Sequence, residues 1–292
     1  MRICVAAFAA FSVLSGSPAM LGAQPAQPGD SGSELDFETH IHKLQDKLPH
    51  DGFTIRIERP FVVIGDESPE VLERRCRQTI RWAVERLRRR YFAHDPDHIV
   101  DIWLFKDAES YETHVLELFG TEPGTPFGYY SARHRALVMN ISTGGGTLVH
   151  ELVHPFIERN FPECPSWFNE GLASLYEQCG DDDGDIRGKT NWRLAGLQRA
   201  IAADTLPAFQ TLCETSTREF YREDPGTNYA QARYLCYYLQ EAGKLRDYYH
   251  QFVKNVDDDP SGFDTLQAVL EISDMPPFQQ QWQDYIMRLR FP

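Results

Sequence analysis

The sequence predicts an α+β protein with a small mixed sheet in its first half and a mostly helical second half. β-branched runs are confined to residues 53–141, helical periodicity dominates residues 147–292, and 42% of the side chains are hydrophobic, enough for a large core. The two halves meet at the glycine-rich segment 142–146, which has none of the features of a linker. We therefore expect them to pack together around a cleft.

Residues 1–23 have the features of a cleaved secretory signal. Arg2 precedes the apolar stretch 3–14, and Leu21-Gly22-Ala23 ends in small residues that a signal peptidase accepts. The apolar stretch is too short to span a bilayer, although an uncleaved anchor is the alternative interpretation. We expect a signal peptide at 1–23, a flexible leader at 24–36, and a secreted or periplasmic protein without a membrane span after cleavage.

The net charge of −14 indicates that the protein repels nucleic acid and anionic membranes. One segment, predicted to be a helix from Pro69 to Phe92, nevertheless carries arginines at positions 74, 75, 77, 81, 86, 88, 89 and 90. A nucleic-acid surface and the solvated face of an amphipathic helix both fit this pattern. Apolar residues at helical spacing in the same segment favour the solvated face.

The other elements follow from periodicity and turn residues. Strands are predicted over Phe53–Ile64, interrupted near Pro60, over Ile99–Phe105, and in a hairpin of Tyr129-Tyr130 with Ala136–Ile141. Asp107 is expected to cap a helix that reaches Phe119. Later helices are predicted over 147–159, 166–178, 191–203, 228–243, 245–256, 263–271 and 276–290. The acidic run 181–185 lacks the ligand spacing of a calcium loop and is expected to be a solvated loop.

Cysteine usage leaves two interpretations open. Of six cysteines, Cys4 lies in the predicted signal and the other five lie beyond it. Exported proteins can form disulfides, but an odd number leaves at least one thiol unpaired or paired with a second chain. A bridge between Cys164 and Cys179 is one interpretation, and buried free thiols are the other.

The strongest functional signal is His150-Glu151-Leu152-Val153-His154, on the helix predicted from residue 147. Residues four apart lie on one face of a helix, so both imidazoles can reach one zinc ion. Glu151 is placed to take a proton from a metal-bound water. The surrounding residues are apolar, and polar groups in such a setting need partners, so ordinary core histidines are the weaker interpretation.

Glu170 is the candidate for a third ligand, because a catalytic zinc site takes three protein ligands and leaves the fourth position for water. It is a single acid within the apolar segment Trp167–Tyr176, where an unpaired buried carboxylate would be costly. The turn at 160–164 is short enough to bring this helix back against the first one. A surface acid at a helix start is the alternative.

HELVH followed by WFNEGLA resembles the gluzincin, thermolysin-like branch of zinc metallopeptidases, in which a second helix supplies a Glu ligand from an N-E-[GA] segment. The resemblance is strongest over residues 137–176. It implies a zincin-like catalytic core within 37–292 that holds one catalytic Zn²⁺. It implies these site residues: His150, His154 and Glu170 as ligands and Glu151 as general base. It also implies that Ala136–Ile141 is an edge strand that binds the substrate.

Tyr229 follows Pro225-Gly226 and resembles the tyrosine with which aminopeptidase-like gluzincins stabilise the oxyanion; a packing tyrosine is the alternative. Three features depart from the family. Pro155 follows the second histidine and should kink the helix. Ser174 stands where thermolysin-like members have an Asp that orients a ligand. The strand at 136–140 lacks the Glu that grips a substrate amine in aminopeptidases, so exopeptidase action is not supported.

Together these features predict a secreted zinc metallopeptidase that hydrolyses peptide bonds and acts as an endopeptidase. The expected partners are peptide or protein substrates, and no nucleic acid. Two alternatives stay open. One is a catalytically inactive zincin-like binding protein, and the other is a zinc hydrolase that acts on a non-peptide amide.

Overall fold

The computed structural model describes residues 36–291. The predicted signal peptide (1–23) and all but the last residue of the predicted leader (24–36) lie outside the described residues. Within them the protein is α+β, with a five-stranded mixed sheet followed by a mostly helical second half, which confirms the coarse prediction. No described helix is both long and apolar enough to cross a membrane.

The main sheet consists of β1 (Thr54–Glu58), β2 (Phe61–Gly65), β3 (Val100–Phe105), β4 (Gly128–Ser131) and β5 (Ala136–Asn140). Its order is β1-β2-β3-β5-β4; the three inner strands are parallel, and the two outer strands are antiparallel to their neighbours. The predicted strand at 53–64 is thus a hairpin, and Pro60 lies in its turn, where it interrupts no ladder. A small hairpin of β6 (Cys179–Asp182) and β7 (Asp185–Gly188) follows later.

Helices form most of the remaining described chain. They are α1 (Phe37–Gln45), α2 (Pro69–Arg75), α3 (Trp82–Arg90), α4 (Ala108–Phe119), α5 (Gly145–Asn160), α6 (Ser166–Tyr176), α7 (Leu194–Ala202), α8 (Phe209–Glu214), α9 (Thr217–Arg222), α10 (Pro225–Glu241), α11 (Leu245–Asn255), α12 (Phe263–Leu270) and α13 (Met275–Arg288). A π-helical turn, Cys76–Arg81, joins α2 to α3, so the helix predicted over 69–92 is continuous. Asp107 caps α4 by accepting a hydrogen bond from the backbone N–H of Ser110, as predicted. The sequence did not predict α8 and α9, because six residues are too few to show a helical period.

Both faces of the main sheet are buried. In β2, Phe61 and Val63 face a core shared with α5 and most later helices, whereas Val62 and Ile64 face a second core formed with α1 and α4. Burial on both faces explains why β2, β3 and β5 are nearly continuous apolar runs rather than alternating ones.

The expectation that Ala136–Ile141 is an edge strand is wrong. β5 lies between β3 and β4, and all five of its residues are buried. The antiparallel strand β4 takes the outer position beside it. Sequence order does not decide which strand of a hairpin lies outside, although the apolar run of β5 is itself typical of an interior strand.

Five of the eight arginines of the helix formed by α2, the π turn and α3 pair with acids of the same chain. The ion pairs are Arg75–Glu67, Arg81–Glu58, Arg86–Asp181, Arg88–Asp95 and Arg90–Asp185. Arg89 also donates a hydrogen bond to the carbonyl oxygen of Gly184. The acidic run at 181–185 forms the turn of the β6–β7 hairpin, and Asp181–Asp183 are exposed to solvent, as expected. The sequence did not predict that Asp181 and Asp185 pair with this helix. This pairing supports the amphipathic-helix interpretation over a nucleic-acid surface.

The interpretation that Cys164 and Cys179 form a bridge is wrong, because the five described cysteines are free thiols. α6 lies between these two residues. Its eleven residues extend about 16 Å along the helix axis. Disulfide-bonded residues need Cα atoms within about 7 Å of each other. Residues that bracket a whole helix therefore cannot be bridged unless the chain folds back.

The first turn of α5 packs directly on the end of α6. α5 begins at Gly145, two residues earlier than predicted, and a Cβ atom at Gly146 would lie 2.2 Å from the carbonyl oxygen of Glu177. Only glycine fits at such a distance from backbone. A Cβ atom at Gly145 would instead lie 3.5 Å from the side chain of Thr79, an ordinary contact.

Gly146→Ala should lower the free energy of unfolding by roughly 1–3 kcal/mol, because α5 and α6 must separate to admit the methyl group. Gly145→Ala is the matched control in the same helical turn. It should leave stability unchanged or raise it by up to about 1 kcal/mol, since alanine favours a helix. Urea unfolding followed by circular dichroism measures both variants. Equal effects would contradict the close approach at residue 146.

Candidate functional site

α5 places His150 and His154 one turn apart. Their ring centroids are 5.1 Å from each other. The side chains are 11% and 12% exposed, so they are largely shielded but not sealed from solvent. The helical spacing therefore puts both imidazoles on one face, as the sequence predicted.

α6 brings Glu170 to the same point. One ligand atom from each of His150, His154 and Glu170 lies within 4.8 Å of the other two, and no other such group of three or more His, Cys, Asp or Glu side chains occurs in residues 36–291. Glu170 is buried. The structure thus unites the three predicted ligands, whereas their role as ligands stays a prediction.

The geometry of this cluster fits a metal ion. Nε2 of His150 and Oε2 of Glu170 are 3.2 Å apart, yet this buried oxygen accepts no hydrogen bond, because the two atoms are close without being aligned. Two atoms bound to one tetrahedral zinc ion would be about 3.3 Å apart. An orphaned, buried carboxylate oxygen at that distance is what a ligand pair looks like without its ion. These side chains could therefore hold zinc.

Asn169 orients the second histidine. Nδ1 of His154 lies 2.9 Å from Oδ1 of Asn169, and an amide oxygen can only accept, so Nδ1 carries the proton. In the neutral imidazole, this hydrogen bond leaves Nε2 of His154 as the nitrogen that can act as a ligand, the arrangement typical of metal-binding histidines. Asn169 immediately precedes Glu170, so one turn of α6 supplies both a candidate ligand and the partner of another.

Glu151 lies next to the cluster, with Oε2 3.7 Å from Nε2 of His154. Burial raises the pKa of the Glu151 carboxyl group, the positive forms of His150 and His154 lower it, and the charge of Glu170 raises it. The pKa of Glu151 is therefore above its ordinary value. A carboxylate with a raised pKa is better matched to proton transfer near neutral pH. This is the environment that a general base requires.

The edge strand β4 borders Glu151. The N–H of Asn140 donates to the carbonyl oxygen of Phe127, so alternation along β4 directs the backbone groups of Tyr130 away from β5. The backbone N–H of Tyr130 accordingly lowers the pKa of Glu151. The hydroxyl of Tyr130 donates to Glu158 at 2.7 Å, and its ring stacks beside His154.

Glu170 and His150 stabilise each other's charged forms. Burial alone would raise the pKa of Glu170, but His154, His150 and the hydroxyl of Tyr221 outweigh it and hold the pKa at about 2. Burial would lower the pKa of His150, but its contact with Glu170 and the nearby carboxylates raise it. The buried carboxylate is therefore ionised at neutral pH.

Two tyrosines stand near Glu170, and the sequence identified only one of them. Tyr229, in α10, is buried close enough for the charges of Glu170 and Glu151 to raise the pKa of its hydroxyl in addition to burial. Its role with the oxyanion stays a prediction. Tyr221, in α9, donates a hydrogen bond of 2.6 Å to Oε1 of Glu170. The capping-box pattern Ser216-x-x-Glu219 is the sequence signal from which α9, the helix that carries Tyr221, could have been predicted.

Pro155 and Ser174, the two residues near the site that differ from the thermolysin-like pattern, change the structure only locally. α5 continues through Pro155 to Asn160. Ser174 is buried, and its hydroxyl makes no hydrogen bond, so it orients no ligand. The backbone of the same residue is used instead, because Arg233 donates to the carbonyl oxygens of Ser174 and Leu175 near the end of α6. Arg233 thereby ties α10 to the C-terminal end of the helix that carries Glu170.

Neither the protein-family models nor the curated proteins compared with this chain include a match. The interpretation of the site rests on its own residues and geometry.

In the metal-free protein, Glu170→Gln should change how stability depends on pH. The pKa of Glu170 is lowered from 4.5 to about 2, so its ionised form stabilises the fold above pH 4.5, and this contribution disappears as the pH falls toward 2. The difference in unfolding free energy between wild type and variant should therefore shrink across that interval. Urea unfolding of chelator-treated protein at several pH values measures it.

Glu163→Gln is the control for removal of a carboxylate, because Glu163 is exposed and lies just before α6. A difference between wild type and Glu170→Gln that stays constant from pH 4.5 to pH 2 would show that the ionised Glu170 does not stabilise the fold.

Proposed function

We propose that this protein is a zinc-dependent peptidase of the gluzincin type, with a zincin-like core and an endopeptidase activity. The observation that carries the proposal is the convergence of His150, His154 and Glu170 within 4.8 Å, with Glu151 beside them. Two helices supply three ligands, which leaves a position for water. This ligand number is typical of catalytic zinc sites rather than structural ones.

The side chains present could carry out the proton transfers of peptide hydrolysis. A bound zinc ion would supply Lewis-acid polarisation of the scissile carbonyl and would acidify water. Glu151, with its raised pKa, would accept a proton from the attacking water and pass it to the leaving amine. Tyr229 is the candidate donor to the developing oxyanion. Asn169 would keep His154 in the tautomer that exposes Nε2.

An extended substrate would bind along β4. This strand is the outer one, it lies beside Glu151, and Tyr130 directs its backbone N–H and carbonyl away from β5. A peptide that adds a strand to this edge would therefore reach the cluster with its backbone aligned. The expected partners are peptides or extended protein segments, and the place of action is outside the cytoplasm.

Glu151→Gln should keep bound zinc and lower kcat by about 10²–10⁴-fold, because it removes the proton acceptor and leaves the three ligands in place. Cleavage of a peptide library and the zinc content of the purified protein, measured by elemental analysis, test both parts. Treatment with a chelator should abolish cleavage by the wild type, and added zinc should restore it. Glu163→Gln, which lies before α6 and is exposed, is the matched control for activity.

Each rival function has its own outcome in the same experiment. Wild type that binds zinc but cleaves no peptide, and no other amide, would favour a catalytically inactive binding protein. Cleavage of non-peptide amides alone would favour the other zinc hydrolase. Full activity of Glu151→Gln would refute the mechanism, and wild type purified without zinc and unable to take it up would refute the site.

A further inference from the structure

The two carboxylate oxygens of Glu170 have different surroundings. Oε2 faces Nε2 of His150 at 3.2 Å without a hydrogen bond. Oε1 accepts a hydrogen bond of 2.6 Å from the hydroxyl of Tyr221. One oxygen is thus left for a metal ion, whereas the other is already occupied by a donor from the protein.

Several contacts hold Tyr221 in this position. The capping box of Ser216 and Glu219 fixes the start of α9, and the neighbouring Phe220 is fully buried. Ser166, at the start of α6, donates to Thr217 at 3.0 Å, which ties α9 to the helix that carries Glu170.

The far end of α9 is anchored to α10. Asn228 donates from Nδ2 to the carbonyl oxygens of Phe220 and Glu223, on either side of Tyr221. The ring of Tyr221 also packs between those of Phe220 and Tyr229, with centroids 5.4 and 6.2 Å away. A six-residue helix held at both ends delivers one hydroxyl group to one carboxylate oxygen.

We propose that Tyr221 is a positioning residue that keeps Glu170 a one-oxygen ligand and so reserves a coordination position for water. The inference rests on the proposed function, because it needs zinc at the three-residue cluster. A carboxylate can bind a metal through one oxygen or through both. A second oxygen on the ion would take the place that the attacking water requires. A short hydrogen bond to an ionised carboxylate is strong enough to hold Oε1 away from the ion.

Tyr221→Phe tests the inference, because it removes one hydroxyl and keeps the ring. The dissociation constant for zinc, measured by competition with a chromogenic chelator, should rise about 10–100-fold, as expected for loss of a partner that orients a ligand. Tyr238→Phe, in α10 and packed against Phe278 and Tyr285, is the matched control and should leave zinc affinity unchanged.

Cobalt substitution provides a readout that a merely structural role of Tyr221 would not change. Co²⁺ in a four-coordinate site absorbs visible light far more strongly than in a five-coordinate site. The wild type and Tyr238→Phe should show the strong bands. Tyr221→Phe should show weaker ones, because Glu170 is then free to bind through both oxygens.

The outcomes separate this inference from the proposed function. If the wild type binds zinc and Tyr221→Phe keeps the cobalt spectrum of the wild type, whatever its zinc affinity, the role of Tyr221 is overturned and the zinc site stands. If the wild type binds no zinc, the proposed function and the role of Tyr221 are both refuted. X-ray absorption of the zinc-loaded wild type provides a test that needs no variant. Four nearest neighbours support one-oxygen binding, and a fifth neighbour with two oxygens from one carboxylate overturns it.

Discussion

The buried carboxylate of Glu170 is the constraint around which the second half of the fold is arranged. An uncompensated charge in the protein interior costs several kcal/mol, so the helices packed around Glu170 have to supply partners for its carboxylate. α5 supplies the imidazoles of His150 and His154, and α9 supplies the hydroxyl of Tyr221. Close approach makes this possible, since glycine at position 146 lets α5 touch the end of α6, and glycine at position 171 lets α6 touch α10.

Local spacing made the centre of the candidate site predictable from sequence. Helical periodicity determines which residues share a face, so His150 and His154 could be placed together without a structure. Glu170 followed because a lone acid in an apolar helix needs a partner. Tyr221 could not be found in this way. Its contribution depends on how α9 packs, and α9 is too short for its face to be read from periodicity.

Long-range pairing was the part of the fold that the sequence left open. The arginines of α2–α3 and the acidic run at 181–185 are both visible in the sequence. Opposite charge alone does not show that these two segments pair with each other, because any exposed acid could pair with any exposed arginine. The expected edge position of β5 was wrong for a related reason, because a hairpin can join a sheet through either strand. Burial of β5 on both faces decides it, and that depends on what covers the sheet.

Asn169 and Glu170 are consecutive residues of α6, and each serves a different histidine of α5. Both histidines therefore depend on the same piece of backbone. A shift or a rotation of α6 would move the candidate ligand Glu170 and the hydrogen-bond partner of His154 together, so both histidines would lose their contacts with α6 in one step.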